Sequence, residues 1–324
     1  MPQSYYLNRY KIHVADFNSF ADDINDIVGI GAHDSGYGQS HLVVTKAIAN
    51  VTTPLWDELL TSMLYAGRHQ ATNLNSPTST THASWPPSHE VDSIIATITT
   101  DIANIVGNKL NSDISYMTVS ANKISTSKTY YDPTGSPGTP IWTTANQVYY
   151  ESKVLFGDVN ARRHFFNSGG EIRFDATLTS VDASHAQSVD WQTMLSAIAT
   201  VKLSHTQTIS SAGVGTPIMG FNNLTSTYQK IYTKGGTSDY AGNQLNIWAK
   251  LSGTADIDIK LSFDDIHISD TGVWTEALYG TSGTWTGTDY VAGTLTVTLD
   301  ELIASDTPDG VHLSSPTYSH ISQL

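Results

Sequence analysis

The stretch Leu245-Asn-Ile-Trp-Ala-Lys-Leu251, followed by Ile257-Asp-Ile-Lys-Leu-Ser-Phe263, decides the fold. In both runs apolar residues take every second position, the period of a half-buried strand and not of a helix. The same alternation recurs at Ile172, Phe174, Ala176 and Leu178 and at Leu295, Val297 and Leu299. Turn signals lie between such runs: Asp132-Pro133-Thr134-Gly135, Ser168-Gly169-Gly170, Lys234-Gly235-Gly236 and Thr281-Ser282-Gly283. No helical crossover regularly separates the strands, as a parallel sheet would need, so the body reads as an antiparallel, sandwich-like assembly.

Upstream of Leu110 the period is helical. Val14, Phe17, Phe20, Ile24, Ile27 and Val28 fall on one stripe, which predicts a helix over about 14–28 with Gly29 as its stop. A second helix is predicted from an N-cap at Thr53 and Pro54 in the first helical position to near Gly67, its apolar face formed by Trp56, Leu59, Leu60, Met63 and Leu64. A third follows Pro86-Pro87 with Ser88 as cap, and carries Val91, Ile94, Ile95, Ile98, Ile102, Ile105 and Val106 up to Gly107. Trp191, Met194, Leu195 and Ile198 predict one helix within the strand-rich part, as a cover over a sheet. The class is therefore α+β, with a helical N-terminal region over 1–112, a β-rich body over 113–305 and an extended C-terminal arm over 306–324.

With 39% hydrophobic and 10% aromatic residues, a chain of 324 residues can fill a core in more than one domain. Charged residues are only 14%, replaced by Ser, Thr and Asn, a surface common on extracellular β proteins. Sixteen basic against thirty acidic residues give a net charge of −14, which disfavours binding to a phosphate backbone. Cysteine is absent, which excludes disulfides and zinc–thiolate sites. No 18-residue apolar run predicts membrane insertion, and no basic-then-apolar leader predicts a cleaved signal.

The chain contains no nucleophile elbow, P-loop, dinucleotide fingerprint or His-Glu-x-x-His motif, so no enzyme activity, cofactor or metal is expected. His33, Asp34, Ser35 and His41 crowd a Gly-rich segment that reads as a turn, because catalytic triads are assembled from distant segments. His82, His89 and Arg68-His69 lack the four-residue spacing that aligns two imidazoles on a helix. Asp256, Asp258, Asp264 and Asp265 lack the spacing of a calcium loop and read as a solvated sheet face. Trp274, Tyr279, Trp285 and Tyr290 are candidate glycan contacts, since aromatic rings stack on sugars, although the same rings also fill cores.

The segment Phe156-Gly-Asp-Val-Asn-Ala-Arg162-Arg163-His-Phe165-Phe166-Asn167-Ser-Gly169-Gly170-Glu-Ile-Arg173-Phe174 resembles the Arg-Arg-x-Phe-Phe-Asn-x-Gly-Gly-Glu-Ile-Arg stretch of tailed-phage virion structural proteins, notably those of marine and cyanobacterial phages. Two earlier blocks, Ile12 to Gln39 and Ala49 to Gln70, resemble the N-terminal region of the same group, so the likeness spans about residues 10–180. It implies a virion subunit of the tail, neck or baseplate, made in the host cytoplasm, that contacts other virion proteins and itself, as a trimer or ring. The family has no assigned activity. A receptor-binding adhesin for a host surface glycan is the alternative, and a tail-associated polysaccharide depolymerase a further one. Read physically, the segment predicts a hairpin in which Phe165 and Phe166 enter a core and Asn167, Gly169 and Gly170 turn. Arg162, Arg163 and Arg173 flank that hairpin and are the expected contacts to carboxylates of the same or a neighbouring subunit, and so candidates for oligomer or virion contacts.

Overall fold

A computed structural model of the chain describes residues 12–76, 91–132, 140–183, 185–205, 208–215, 223–267, 269–276, 281–304 and 310–323. Its architecture is α+β, helical at the N-terminal side and antiparallel in its sheets, as the two periodicities predict. The chain divides into two compact units, each built from separated stretches. The first comprises Met1–Val119, Gly157–Glu171 and Leu302–Ser315; the second comprises Ser120–Phe156, Ile172–Glu301 and Pro316–Leu324. This interleaving replaces the three consecutive segments expected from composition, because strand partners far apart in sequence leave no local mark.

In the first unit, helices α1 (Val14–Val28), α2 (Thr53–His69) and α3 (Val91–Gly107) bury the predicted faces around one core. Phe17, Ile24 and Ile27 of α1 meet Leu59 and Met63 of α2 and Ile98, Ile102 and Ile105 of α3 in that core. The rings of Phe17 and Trp56 lie 5.8 Å apart. The α2 N-cap is Thr52, one residue earlier than expected, and Pro54 falls second in the first turn, where its missing N–H is still harmless. Ser88 and Pro86-Pro87, the expected start of α3, lie outside the described residues.

After α1 the chain doubles back over the helix end. The N–H groups of Tyr37 and Gln39 donate to the carbonyls of Ile27 and Val28 at 2.8 and 2.7 Å, satisfying acceptors that a helix C-terminus leaves open. The tightness of this return demands glycine: a Cβ on Gly31, at φ 74°, would sit 2.5 Å from the Asp26 carbonyl oxygen. His33 and Asp34 themselves adopt φ of 55° and 57°, and the segment is the turn expected of it, closed by the Gly36 N–H on the Ile30 carbonyl at 2.8 Å. The extended residues that follow are held along α1 by two asparagines, Asn18 on Ala47 and Asn25 on Val44.

The second unit holds two large sheets and a cover helix. Strands β1 (Met117–Tyr130), β3 (Glu171–Thr179), β4 (Val201–Leu203), β5 (Thr208–Ile209) and β12 (Gly293–Ala304) form a five-stranded sheet in the order β1-β12-β3-β4-β5. Strands β2 (Val148–Leu155), β6 (Val214–Gly215), β7 (Gln229–Gly235), β8 (Gln244–Ser252), β9 (Asp256–Asp264) and β13 (Thr317–Gln323) form a six-stranded one in the order β13-β2-β9-β8-β7-β6. The two decisive stretches of sequence are β8 and β9, paired antiparallel with Ile247 opposite Leu261. Phe174, Ala176 and Val201 of one sheet line an interior gap with Leu245, Ile247 and Leu261 of the other, so the sheets pack face to face as a sandwich. Helix α5 (Ala186–Ile198) adds Trp191, whose ring lies 4.7 Å from that of Trp142 and 6.2 Å from Phe263. Among the described residues, strands β10 (Ser269–Glu276) and β11 (Thr281–Thr288) pair only with each other.

The expected C-terminal arm is corrected by these pairings. Val311 and Leu313 are buried in the helical core, and β13 pairs along β2 from Thr317 opposite Leu155 to Gln323 opposite Tyr150. The polar, Pro-punctuated composition hid two packed apolar residues and an edge strand, which needs only one partner to complete its hydrogen bonds. Among the described residues no helix is long and apolar enough to cross a membrane.

Candidate functional site

The segment from Asp158 to Gly170 is not a hairpin but a capped helix, α4 (Val159–Asn167). Asp158 is its N-cap and accepts from the Ala161 N–H at 2.8 Å, the position three residues on that such a cap serves. At the other end Gly169, at φ 82°, donates its N–H to Phe166, and Gly170 donates to Phe165, at 3.1 and 2.8 Å. This is a Schellman closure, so Ser-Gly-Gly ends a helix here instead of turning a hairpin. Phe165 and Phe166 are both buried, with rings 5.1 Å apart edge to face. A helix reconciles their adjacency with burial, since its neighbouring side chains diverge by about 100° and not by the 180° of a strand.

The polar side of α4 grips the strained turn after α1. Asn167 donates from Nδ2 to the carbonyls of Asp34 and Gly36 at 3.0 and 2.9 Å, and His164 bonds the Gly36 carbonyl at 3.1 Å. Arg163 forms an ion pair with Asp34. Behind the turn, the buried Tyr37 hydroxyl donates to the Lys109 carbonyl at 2.6 Å and accepts from Gln70 at 2.7 Å. Gln39 clasps the backbone of His312, donating to its carbonyl at 2.6 Å and accepting from its N–H at 3.0 Å. Arg162 is buried, Arg163 has a carboxylate partner in its own chain, and Arg173 sits on β3 in the second unit. The three arginines therefore do not ring one surface element as expected, because the helix turns its successive residues in different directions.

In the second unit a polar cluster surrounds the foot of the β10–β11 hairpin, and sequence reasoning did not find it. His267 Nδ1 lies 2.7 Å from Asp289 Oδ2, and His185 Nδ1 lies 4.0 Å from Asp289 Oδ1. Asp265 is buried, not on the solvated face expected for it; Gln187 Nε2 and the His267 N–H donate to its Oδ1 at 2.6 and 3.2 Å. Burial, opposed by that backbone bond and aided by the nearby Asp289, pushes the Asp265 carboxyl up to about 6. The Tyr290 ring lies tilted against that of His185, centroids 3.8 Å apart; its hydroxyl donates to Asp132 and is pushed up to about 12 by burial and by that carboxylate. Asp256 and Asp258 lie on a sheet face, but are paired with Lys153 and Lys250 at 3.3 and 3.6 Å and largely covered, and Asp264 accepts from Asn246 and Ser262, so these three are less solvated than expected. No sequence signal joins residues 185, 265 and 289, which only the pairing of strands brings together.

The aromatic candidates divide. Tyr290 belongs to this cluster, Trp274 and Trp285 lie on β10 and β11, and Tyr279 lies outside the described residues, as do His82 and His89. In the hairpin register Trp274 stands opposite Gly283 and Trp285 opposite Gly272. Among the described residues no group of three or more His, Asp or Glu could hold a metal ion. No protein-family model, curated protein or solved structure matches the chain.

Proposed function

We propose that the protein is a structural subunit of a bacteriophage virion, of the tail, neck or baseplate, that works through contacts with its own copies and with other virion proteins. The observation that carries this reading is apolar surface left uncovered in the first unit. Val106, Leu110, Ile114 and Val119 are exposed within one short run, Ile114 at 67%, and Ile48 at 98%. Single exposed apolar residues are ordinary, but a series of them on a chain with only 14% charged residues suits a surface covered by subunits. The run leads into β1, an edge strand of 14 residues that is exposed along much of its length. The resemblance of residues 156–174 to phage structural proteins supports the same reading.

The test is light scattering of the purified chain beside an Ile114→Asp, Val119→Asp variant, with cross-linking mass spectrometry of intact particles. The reading expects an oligomer that the variant weakens, and cross-links to virion proteins. A stable monomer at micromolar concentration that is absent from particles overturns it, and shortened host polysaccharide after incubation would favour the depolymerase.

A second reading, a glycan-binding adhesin, is favoured by the presence of two tryptophans, Trp274 and Trp285, on the paired strands β10 and β11. A glycan array with hits lost in Trp274→Ala and Trp285→Ala supports it; an array without hits returns the assignment to the scaffold.

A further inference from the structure

Two carboxamides and a carboxylate meet inside the second unit, where α5 begins, β8 begins and β9 ends. Gln187 is the second residue of α5, Asn243 stands just before β8 and Asp265 just after β9, and each is 0% exposed. They form one connected cluster. The His267 N–H donates to Asn243 Oδ1 at 3.1 Å and to Asp265 Oδ1 at 3.2 Å, and the same Asp265 oxygen accepts from Gln187 Nε2 at 2.6 Å. The second terminal atom of each group, Asn243 Nδ2, Gln187 Oε1 and Asp265 Oδ2, is buried and has no hydrogen-bond partner in the chain.

Turning either amide over does not remove the mismatch. Asn243 Oδ1 also accepts from the Ile266 N–H at 2.9 Å, so a reversed carboxamide would point its NH2 at two donors. A reversed Gln187 would set its oxygen against a carboxylate oxygen. The groups are also held in place. Gln147 grips both backbone groups of Asp265, donating to its carbonyl at 2.5 Å and accepting from its N–H at 2.7 Å. The Asn243 backbone accepts from the Gly236 N–H at 2.8 Å and donates to the Tyr240 carbonyl at 2.9 Å. A buried polar atom without a partner is costly, so three in one fixed cluster call for a guest.

We propose that Gln187, Asn243 and Asp265 form an internal binding site for one water molecule, which accepts from Asn243 Nδ2 and donates to Gln187 Oε1 and Asp265 Oδ2. Only a guest with a lone pair to receive a hydrogen and two hydrogens to give matches all three atoms, and three hydrogen bonds are what a buried water usually makes. A hard cation such as Ca²⁺ suits the two oxygens but would face the hydrogens of Asn243 Nδ2. The water joins the first turn of α5 to the adjoining ends of β8 and β9, three elements distant in sequence, and gives the buried Asp265 carboxylate solvation that the chain does not supply. The site does not depend on the virion reading.

Water-selective NOE and ROE spectra of the isotope-labelled full chain test it. A long-held water gives cross-peaks of opposite sign in the two spectra at the His267 N–H and the Gln187 and Asn243 side-chain amides, whereas surface hydration and proton exchange give equal signs. Asp265→Asn separates water from a cation. A water turns to accept from the new amide, so the cross-peaks should persist, and any effect of calcium chloride or EDTA on the melting temperature should be the same in both chains. Should the variant fail to fold, the wild-type spectra carry the test alone. Absence of the opposite-sign cross-peaks in the wild type, or a calcium-dependent melting temperature that is lost in Asp265→Asn, overturns the proposal.

Discussion

Asn18 and Asn25 sit seven positions apart on α1, and each carboxamide binds both backbone groups of one residue on the neighbouring extended segment. Asn25 donates to the Val44 carbonyl at 3.0 Å and accepts from its N–H at 2.7 Å; Asn18 does the same for Ala47 at 2.9 and 2.8 Å. Seven helical residues rise about 10.5 Å and three extended residues span about 10 Å, so the two repeats coincide. The helix thereby serves the segment as a strand would.

Truncating either asparagine should leave a partly buried N–H and C=O without a partner. Asn18→Ala and Asn25→Ala should each lower unfolding free energy by about 1–3 kcal/mol in urea titrations. Asn25→Asp keeps the acceptor but loses the donor, and should fall between Ala and wild type. Equal stability of all three chains would remove the clasp from the account.

Within α4 the phenylalanines should outweigh the arginine. Phe165→Ala or Phe166→Ala should cost about 3–5 kcal/mol, since each empties a buried ring site. Arg163→Ala should cost no more than about 1 kcal/mol, because its pair with Asp34 is partly exposed. Asp158→Ala, which removes the N-cap, should cost about 1 kcal/mol. Denaturant midpoints of the variants check the order, and an arginine effect as large as the phenylalanine effect would contradict it.

Asp265 sets a pH dependence whose sign is fixed. Its folded carboxyl, near 6, lies above its ordinary value of 3.8, so between these values the folded chain binds the extra proton and stability falls as pH rises. The change is on the order of 2 kcal/mol between pH 4 and 6.5. Asp265→Asn keeps an acceptor for Gln187, should flatten this slope, and should be the more stable chain at pH 7. Urea titrations at several pH values decide it; a wild-type slope unchanged in the variant sinks the assignment.

Removing the residues from 310 onward should destabilise both units. Val311 and Leu313 would leave the helical core, at about 1.5–3 kcal/mol for each side chain, and β2 would lose the strand at its edge. Calorimetry of the truncated chain should show a lower melting temperature, and an unchanged melting temperature would mean that these contacts are not maintained in solution.

The helices were legible because their cores are local: Phe17, Ile24 and Ile27 follow one stripe, and the stripe alone fixes the buried face. Strands β8 and β9 were legible for the same reason at period two. Helix α4 was misread although its signals were present. Asp158 three residues before Ala161, and Ser168-Gly169-Gly170 at the end, mark a capped helix, but adjacent phenylalanines and paired glycines suit a hairpin equally well until burial is known. The Asp265 cluster was not legible, because a carboxylate between β9 and a hairpin looks solvated until α5 is placed above it.

The interleaved units also set a timetable for synthesis. Leu302, Ala304, Val311 and Leu313 complete a core begun by Phe17 and Leu59, so those helices wait for residues made roughly 240 to 300 positions later. At about 5–20 residues per second, the ribosome takes roughly 15–60 s to deliver them. Until then the helical unit lacks part of its interior, and a prematurely terminated chain never acquires it. Only a chain translated past Leu313 can close that core, so the helical unit completes its interior as a late event of synthesis and not as its first one.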